Sequence, residues 1–291
     1  MKRPSRGRAL ALLLVMWALF IMSFSILGLI SLLKIDIGGA SGMERLALAS
    51  SLAFAGVTLG RNADFPADGH PEVFRFPDGG RIEVSTVSEN GKLNVNVLLG
   101  GGDRDTLRAL FRLWGLSDVE ADTVLDCLLD YVEPGGSRRL NGAKAPQYRA
   151  AGRPAPPGRL FRSIDEMTRV LNFDLVTRHQ PDWRESLTIY GDGTLDLRAA
   201  SADVIRACCR VGDSSARAIR QGGAGFNDLE AVRLALGLTS REFAGLQGRL
   251  ALGGRVRRVR STGAFAQATR TIEAIYQVND ASAVILEWRE W

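Results

Sequence analysis

The chain opens on an unbroken apolar run. From Ala9 to Leu33 it reads ALALLLVMWALFIMSFSILGLISLL, with no charged residue, between Arg8 and Lys34. A bilayer-crossing helix needs about 20 such residues, whereas the apolar core of a cleaved secretory signal has about 7 to 15. The run therefore predicts a retained transmembrane helix. Lys2, Arg3, Arg6 and Arg8 crowd its short N-terminal side, which holds that end in the cytoplasm and exports the remainder, in a bacterium to the periplasm. From Met43 to Leu59 the helical pattern continues, with Leu46, Ala49, Ala53 and Val57 on one face. Gly38, Gly39 and Gly42 between the two stretches offer places to break or bend the rod.

Beyond this rod the period changes twice. Val73 to Phe76 and Arg81 to Val87 alternate apolar and polar residues around Asp78-Gly79-Gly80, which predicts a β-hairpin. Helical patterns follow at Thr106 to Trp114 and Val119 to Tyr131, the second opened by the capping box Ser117 to Glu120. A Pro- and Gly-rich stretch, Ala143 to Gly158, reads as a loop, and a second box at Ser163 to Glu166 starts a short helix through Leu171. Further helices are expected at Ala202 to Arg210, Ser214 to Arg220 and Asn227 to Leu236, and from the box Thr239 to Glu242 to about Leu252. From Arg255 to Trp291 alternation returns across turns near Gln267 and Asn279-Asp280-Ala281, predicting about three strands. These would pair with the early hairpin in one antiparallel sheet, an α+β arrangement with the helices inserted between the two halves of the sheet.

A weak internal repeat runs through the insert. Gly91-Lys92-Leu93-Asn94-Val95 and Gly193-Thr194-Leu195-Asp196-Leu197 each precede a helix pair joined at a glycine, Gly115 or Gly212. Helix pairs of this kind resemble helix-hairpin-helix modules, which seat a DNA phosphate on backbone N–H groups. That gives an alternative reading, a membrane-anchored periplasmic DNA-binding protein. Ser117 and Asp213 stand where such a turn wants a second glycine, and a carboxylate repels phosphate. Packing or protein contact is the better use for these pairs, so neither nucleic acid nor a small-molecule substrate is expected.

Composition changes this picture little. With 46% hydrophobic and 24% charged residues the chain can bury one large core or two smaller ones, and a net charge of +5 from scattered arginines does not point to nucleic acid. Three cysteines, Cys127, Cys208 and Cys209, are too few for a disulfide framework or a zinc site and read as small core residues. A bridge from Cys127 to Cys208 or Cys209 is a candidate in an oxidising compartment. His70 and His179 lie in loop-like sequence. Asp126, Asp130 and Glu133 fall on one helix face and could ligate a hard cation such as calcium if a loop oxygen joined them, although Gly135-Gly136-Ser137-Arg138-Arg139 follows with positive charge. Asp192 and Asp196 read as solvated turn carboxylates. No nucleophile, base and orienting group assemble by spacing, so no catalytic residue is expected and the chain reads as a non-enzyme.

Several segments carry a family resemblance when taken in order. They are Ser5-Arg6-Gly7-Arg8-Ala9-Leu10-Ala11-Leu12-Leu13, Asn90-Gly91-Lys92-Leu93-Asn94-Val95-Asn96, Leu128-Leu129-Asp130-Tyr131-Val132, Arg139-Leu140-Asn141-Gly142-Ala143 and Ile189-Tyr190-Gly191-Asp192-Gly193. Together the chain resembles the K-type minor pseudopilin of the type II, or general, secretion pathway along nearly its whole length. The resemblance implies a pilin-like fold, with a long N-terminal helix on an antiparallel sheet and a large helical domain inserted into the sheet. It also implies a boundary set: a basic leader over 1–7, an assembly helix over 8–34 and its extension over 35–62. The first sheet part would span 63–90, the insert 91–253 and the C-terminal meander 254–291.

Processing follows from the same likeness. A prepilin peptidase would cut after Gly7, leaving Arg8 first, where pilins commonly carry an apolar residue. The fifth mature position is then Leu12. Most pilin-like subunits have glutamate there, and the K-type lacks it. An N-terminal ammonium in an apolar bundle is costly without a carboxylate partner, so a subunit with Leu12 suits the end of a fibre. The implied partners are the I- and J-type minor pseudopilins, the other pseudopilins and the inner membrane, and the family is known with calcium in its inserted domain.

Overall fold

The computed structural model describes residues 6–291 apart from 63, 223–224 and 280–281, and no side chain at 6–14, 26–41, 279 or 282. A single helix α1 (Arg6–Gly60) includes both stretches expected as rod and extension. Gly38, Gly39 and Gly42 do not interrupt it, since glycine weakens a helix without removing any backbone hydrogen bond, unlike proline. The transmembrane span expected over Ala9 to Leu33 lies largely outside the residues whose side chains are described. Among the described residues, no helix is long and apolar enough to cross a membrane. From Val15 to Phe24 the described apolar side chains are all exposed, Phe24 by 72%.

The sheet is five-stranded, antiparallel throughout and ordered β1-β2-β7-β8-β9. Its strands are β1 (Glu72–Arg75), β2 (Gly80–Ser88), and, from the end of the chain, β7 (Val256–Phe265), β8 (Ala268–Asn279) and β9 (Ser282–Glu290). Hairpin and meander thus form as the alternation required. The two halves meet where β2 pairs β7, from Gly80 opposite Phe265 to Ser88 opposite Arg257.

Small residues set how α1 lies on this sheet. Ala53 and Val57 are buried against Ile82, Val84, Val259, Ile272, Ala274 and Tyr276, and Ala49 is buried too, while Leu46, expected on the same face, is 38% exposed. A Cβ on Gly263 would strike the Ala49 carbonyl and the Ala53 amide, and one on Gly56 would strike Ser261 and Ile82. Backbone therefore meets backbone across the layer, a separation only glycine permits at those points.

Between β2 and β7 stands the helical insert, with its own core around Phe111, Leu125, Leu128, Tyr148, Phe173 and Trp183. Its elements are β3 (Leu93–Asn94), α2 (Val95–Gly100), α3 (Arg104–Leu113), α4 (Asp118–Val132), α5 (Ala145–Ala150), α6 (Asp174–His179), β4 (Leu187–Thr188), β5 (Leu195–Asp196), α7 (Ala202–Cys209), α8 (Asp213–Gly222), α9 (Leu229–Leu236), α10 (Ser240–Ala244) and β6 (Leu250–Ala251). Capping boxes close at Ser117–Glu120 and Thr239–Glu242 as read from the sequence.

Some readings are corrected and two strand pairings are added. The segment after Ser163 is a 3-10 helix over Ile164–Arg169, and Glu166 binds Arg159 instead of closing a box. The helix expected to run to Leu252 stops at Ala244, because Gly245 ends it and Gly248 turns the chain in a left-handed conformation, φ +78°. Two parallel strand pairs, β3 with β4 and β5 with β6, tie each repeat unit to a distant segment. Asp196 is buried, not solvated, and accepts from the Arg198 amide within its own turn.

Candidate functional site

The segments singled out along the chain come together in two places. One is the joint between sheet and insert. The other is the C-terminal end of α4.

At the joint, Asn90 connects three segments. Its Oδ1 accepts from the Val256 amide at 2.9 Å, at the start of β7, and its Nδ2 donates to the Thr194 carbonyl at 3.2 Å. Four residues on, Asn94 caps α2 through the Val97 amide and donates from Nδ2 to the carbonyls of Tyr190, at 3.0 Å, and Gly191, at 2.8 Å. The segments Asn90 to Asn96 and Ile189 to Gly193 are therefore one structural unit. Its glycines are required by contact: a Cβ on Gly91 would overlap the Ala199 backbone, and Gly191 holds φ +86° against Asn90. Tyr190 then reaches out of the insert, donating its hydroxyl to Glu287 of β9 at 3.0 Å.

Charge is buried at the same joint. Glu89 pairs with Arg258 at 2.9 Å and lies 3.5 Å from the Lys92 ammonium, which also donates to the Arg184 carbonyl at 2.9 Å. Burial holds the Lys92 amine below the usual lysine range, with Glu89 acting against that shift. Such a group resists rearrangement because removing either sign strands the other in a low-dielectric site.

At the end of α4 the segments Leu128 to Val132 and Arg139 to Ala143 form the second unit. Asp130 is fully buried and accepts from the Arg139 amide at 3.1 Å and the Arg139 guanidinium at 2.7 Å. The same guanidinium nitrogen reaches Glu133 at 2.6 Å and holds that carboxyl below the usual glutamate range. Asp126 takes Arg104 at 2.6 Å and the Asn141 amide at 3.2 Å. Gly142 has to be glycine, since a Cβ there would fall on the Asp130 carboxylate. Lys144 donates from Nζ to the carbonyls of Asp130, Glu133 and Gly135 at 3.0, 3.1 and 2.7 Å.

The three candidate calcium ligands divide between two cations: Asp126 is held by Arg104, while Asp130 and Glu133 share Arg139. Among the described residues no group of three or more His, Cys, Asp or Glu is arranged to hold a metal. The donor set does not fit a calcium ion: each carboxylate already faces a cation, and the carbonyls that would complete the shell bind Lys144.

The three cysteines are free and buried. Cys127 donates to the Asn141 carbonyl and accepts from Asn172, both at 3.5 Å, so the candidate bridge from Cys127 to Cys208 or Cys209 is not formed. Burial pushes the Cys127 thiol up, away from reactivity. At the two helix-pair turns, the Ser117 hydroxyl caps α4 and Asp213 pairs with Arg217 at 2.8 Å. The side chains of Gly7, Arg8 and Leu12 lie outside the described residues. Sequence reasoning missed Asn90, Asn94 and Lys144 as organising residues. The first two sit inside a quoted segment; the third gave no signal, because its partners lie 9 to 14 positions away.

A long helix laid on an antiparallel sheet, with a helical domain spliced between the second strand and the C-terminal meander, defines a pilin-like α+β protein. Residues 91–180 match the family described as "Type II secretion system (T2SS), protein K". A chain of the crystal structure of the GspK-GspI-GspJ complex from the enterotoxigenic Escherichia coli Type 2 Secretion System matches with TM-score 0.67 and 14% identity, over 89% of this chain and 98% of that one. At that identity the likeness carries the fold. No curated protein sequence matches. The chain is similar to the K-type minor pseudopilins of type II secretion, by sequence in its insert and by fold over most of its length.

Proposed function

We infer that this chain is a non-enzymatic minor pseudopilin that sits at the tip of the periplasmic pseudopilus, where it starts and caps the fibre together with I- and J-type partners. The observation that carries this is the position of the family-matched insert, spliced into a pilin-like helix-and-sheet body. Such a body packs into a fibre through its N-terminal helix, and the insert is too bulky to be buried inside one. The apolar surface displayed from Val15 to Phe24 supports a helix that sits in lipid or among sister helices. Leu12 leaves the subunit without the carboxylate that an incoming neighbour's N-terminal ammonium would need.

The remaining assignments follow from this one. The leader over 1–7 is cut by prepilin peptidase after Gly7, the chain crosses the inner membrane once with its N-terminus cytoplasmic, and the domain from about residue 63 is periplasmic. A non-enzymatic role is supported by the candidate carboxylates, each engaged by an arginine or lysine of its own chain. Deleting the gene should abolish export of folded exoproteins, and the full-length chain should co-purify with I- and J-type pseudopilins. Replacing Gly7 should block N-terminal trimming, read by mass spectrometry of the intact protein. Normal secretion from the deletion strain would overturn the assignment.

A further inference from the structure

We propose that Lys144 is a built-in cation, its ammonium occupying the carbonyl cradle at the end of α4 in place of a divalent metal, so that this chain fixes its 133–142 loop without calcium. The proposal goes beyond the pseudopilin reading and does not depend on it.

Three observations carry it. An ammonium has three N–H donors and no acceptor, and here they meet three carbonyl oxygens, of Asp130, Glu133 and Gly135, at 2.7 to 3.1 Å. Those separations are hydrogen-bond lengths, longer than the 2.3 to 2.6 Å of calcium–oxygen bonds. The second is charge. Asp126 is met by Arg104, Asp130 and Glu133 share Arg139, and Lys144 Nζ stands 4.0 Å from the buried Asp130 carboxylate, so three carboxylates face three cations. A divalent ion added to that balanced group would bring charge without a counter-charge. The third is position: the cradle lies where α4 ends, so the ammonium meets the carbonyl-rich, negative end of the helix dipole. The oxygen-rich site thus takes its cation from a residue 11 positions beyond Glu133.

The test uses the full-length chain in detergent micelles, unfolded thermally in chelator and in millimolar calcium. The wild-type protein should give the same Tm in both, and equilibrium dialysis should find no bound calcium. The double variant Lys144→Met/Arg139→Gln empties the cradle while leaving the Asp130 and Glu133 carboxylates in place. Its Tm in chelator should fall by several degrees, and calcium should restore part of the loss. A wild-type Tm that rises with calcium, or calcium retained by the wild type in dialysis, overturns the proposal. So does a double variant that is destabilised yet indifferent to calcium, because the cradle is then not a cation site. If the double variant fails to fold, Lys144→Arg decides: a planar guanidinium cannot turn its donors onto three convergent carbonyls, so its Tm should fall despite the retained charge. An unchanged Tm in Lys144→Arg overturns the proposal.

Discussion

Phe111, Phe173, Trp183 and Leu128 are wholly buried in the insert, among aromatic and branched side chains from most of its helices. Beneath α1 the buried layer is built from Ala49, Ala53, Gly56, Ser261 and Gly263, with a modest apolar group around Ile82, Val84 and Val259. One region gains stability from apolar volume removed from water. The other depends on how closely two backbones approach, and it leaves Phe54, Ile285, Trp288 and Trp291 showing on its outer side. On the proposed role, a subunit that joins neighbours would benefit from this division, with an insert that folds around itself and a body that keeps apolar surface exposed.

The largest expected effect lies in the insert. Phe111→Ala removes a fully buried ring and should cost about 3 to 5 kcal/mol, measured by urea unfolding of the full-length chain in detergent. A loss below about 1 kcal/mol would mean that the insert core collapses freely around the gap, and the contrast between the regions would fail. Next comes Gly263→Val, which drives a side chain into the Ala49 carbonyl and the Ala53 amide. Overpacking of this kind costs about 1 to 3 kcal/mol. Limited proteolysis should show α1 cut near Ala49 before the insert is touched. Simultaneous loss of both regions would instead make them one cooperative unit.

A long apolar run and sustained alternation were enough to find the rod, the hairpin and the meander, because each signal repeats over many neighbouring residues. The capping boxes at Ser117 and Thr239 were equally legible, being local chemistry over four positions. What stayed hidden is non-local. The parallel pairs β3–β4 and β5–β6 have two residues per strand, too few for any period, and join positions as far apart as Leu93 and Leu187. Asn90 and Asn94 act through distant carbonyls, and nothing in their neighbourhood announces it. Likewise the acidic face of α4 suggested a metal, because the sequence lists Asp126, Asp130 and Glu133 without showing that Arg104, Arg139 and Lys144 reach them first.

Titration probes the insert at both ends of the pH scale. Burial pushes the Tyr148 hydroxyl of the insert up to about 12 from an ordinary 10.0. A raised folded-state value means the folded chain holds that proton more tightly, so the stabilisation is complete below pH 10.0 and disappears as pH rises from there to about 12. The contribution is about 1 to 2 kcal/mol, and Tyr148→Phe should flatten that part of the stability profile. On the acid side, the hydrogen bond from Arg159 holds Glu166 below the ordinary 4.5. Its contribution is present above pH 4.5 and is lost as pH falls through the depressed value. Glu166→Gln should remove that acid limb, seen as a smaller Tm drop on acidification.

The smallest effect on the isolated chain is expected where the two regions differ most in purpose. Phe54 and Trp288 meet at 6.0 Å between ring centres on the outer side of the body, both more than a third exposed. Truncating either to alanine removes surface that solvent already touches, so unfolding should change by less than about 1 kcal/mol. If that surface serves assembly, the same variants should lose capture of I- and J-type pseudopilins in a quantitative pull-down, since aromatic side chains at the centre of an interface carry much of its binding energy. The paired control is Phe111→Ala, which should lower stability while any protein that stays folded still binds. A reversal of this pattern, with Phe111→Ala abolishing capture by the folded fraction and Phe54→Ala leaving it intact, would place the partner surface on the insert and the structural load on the body.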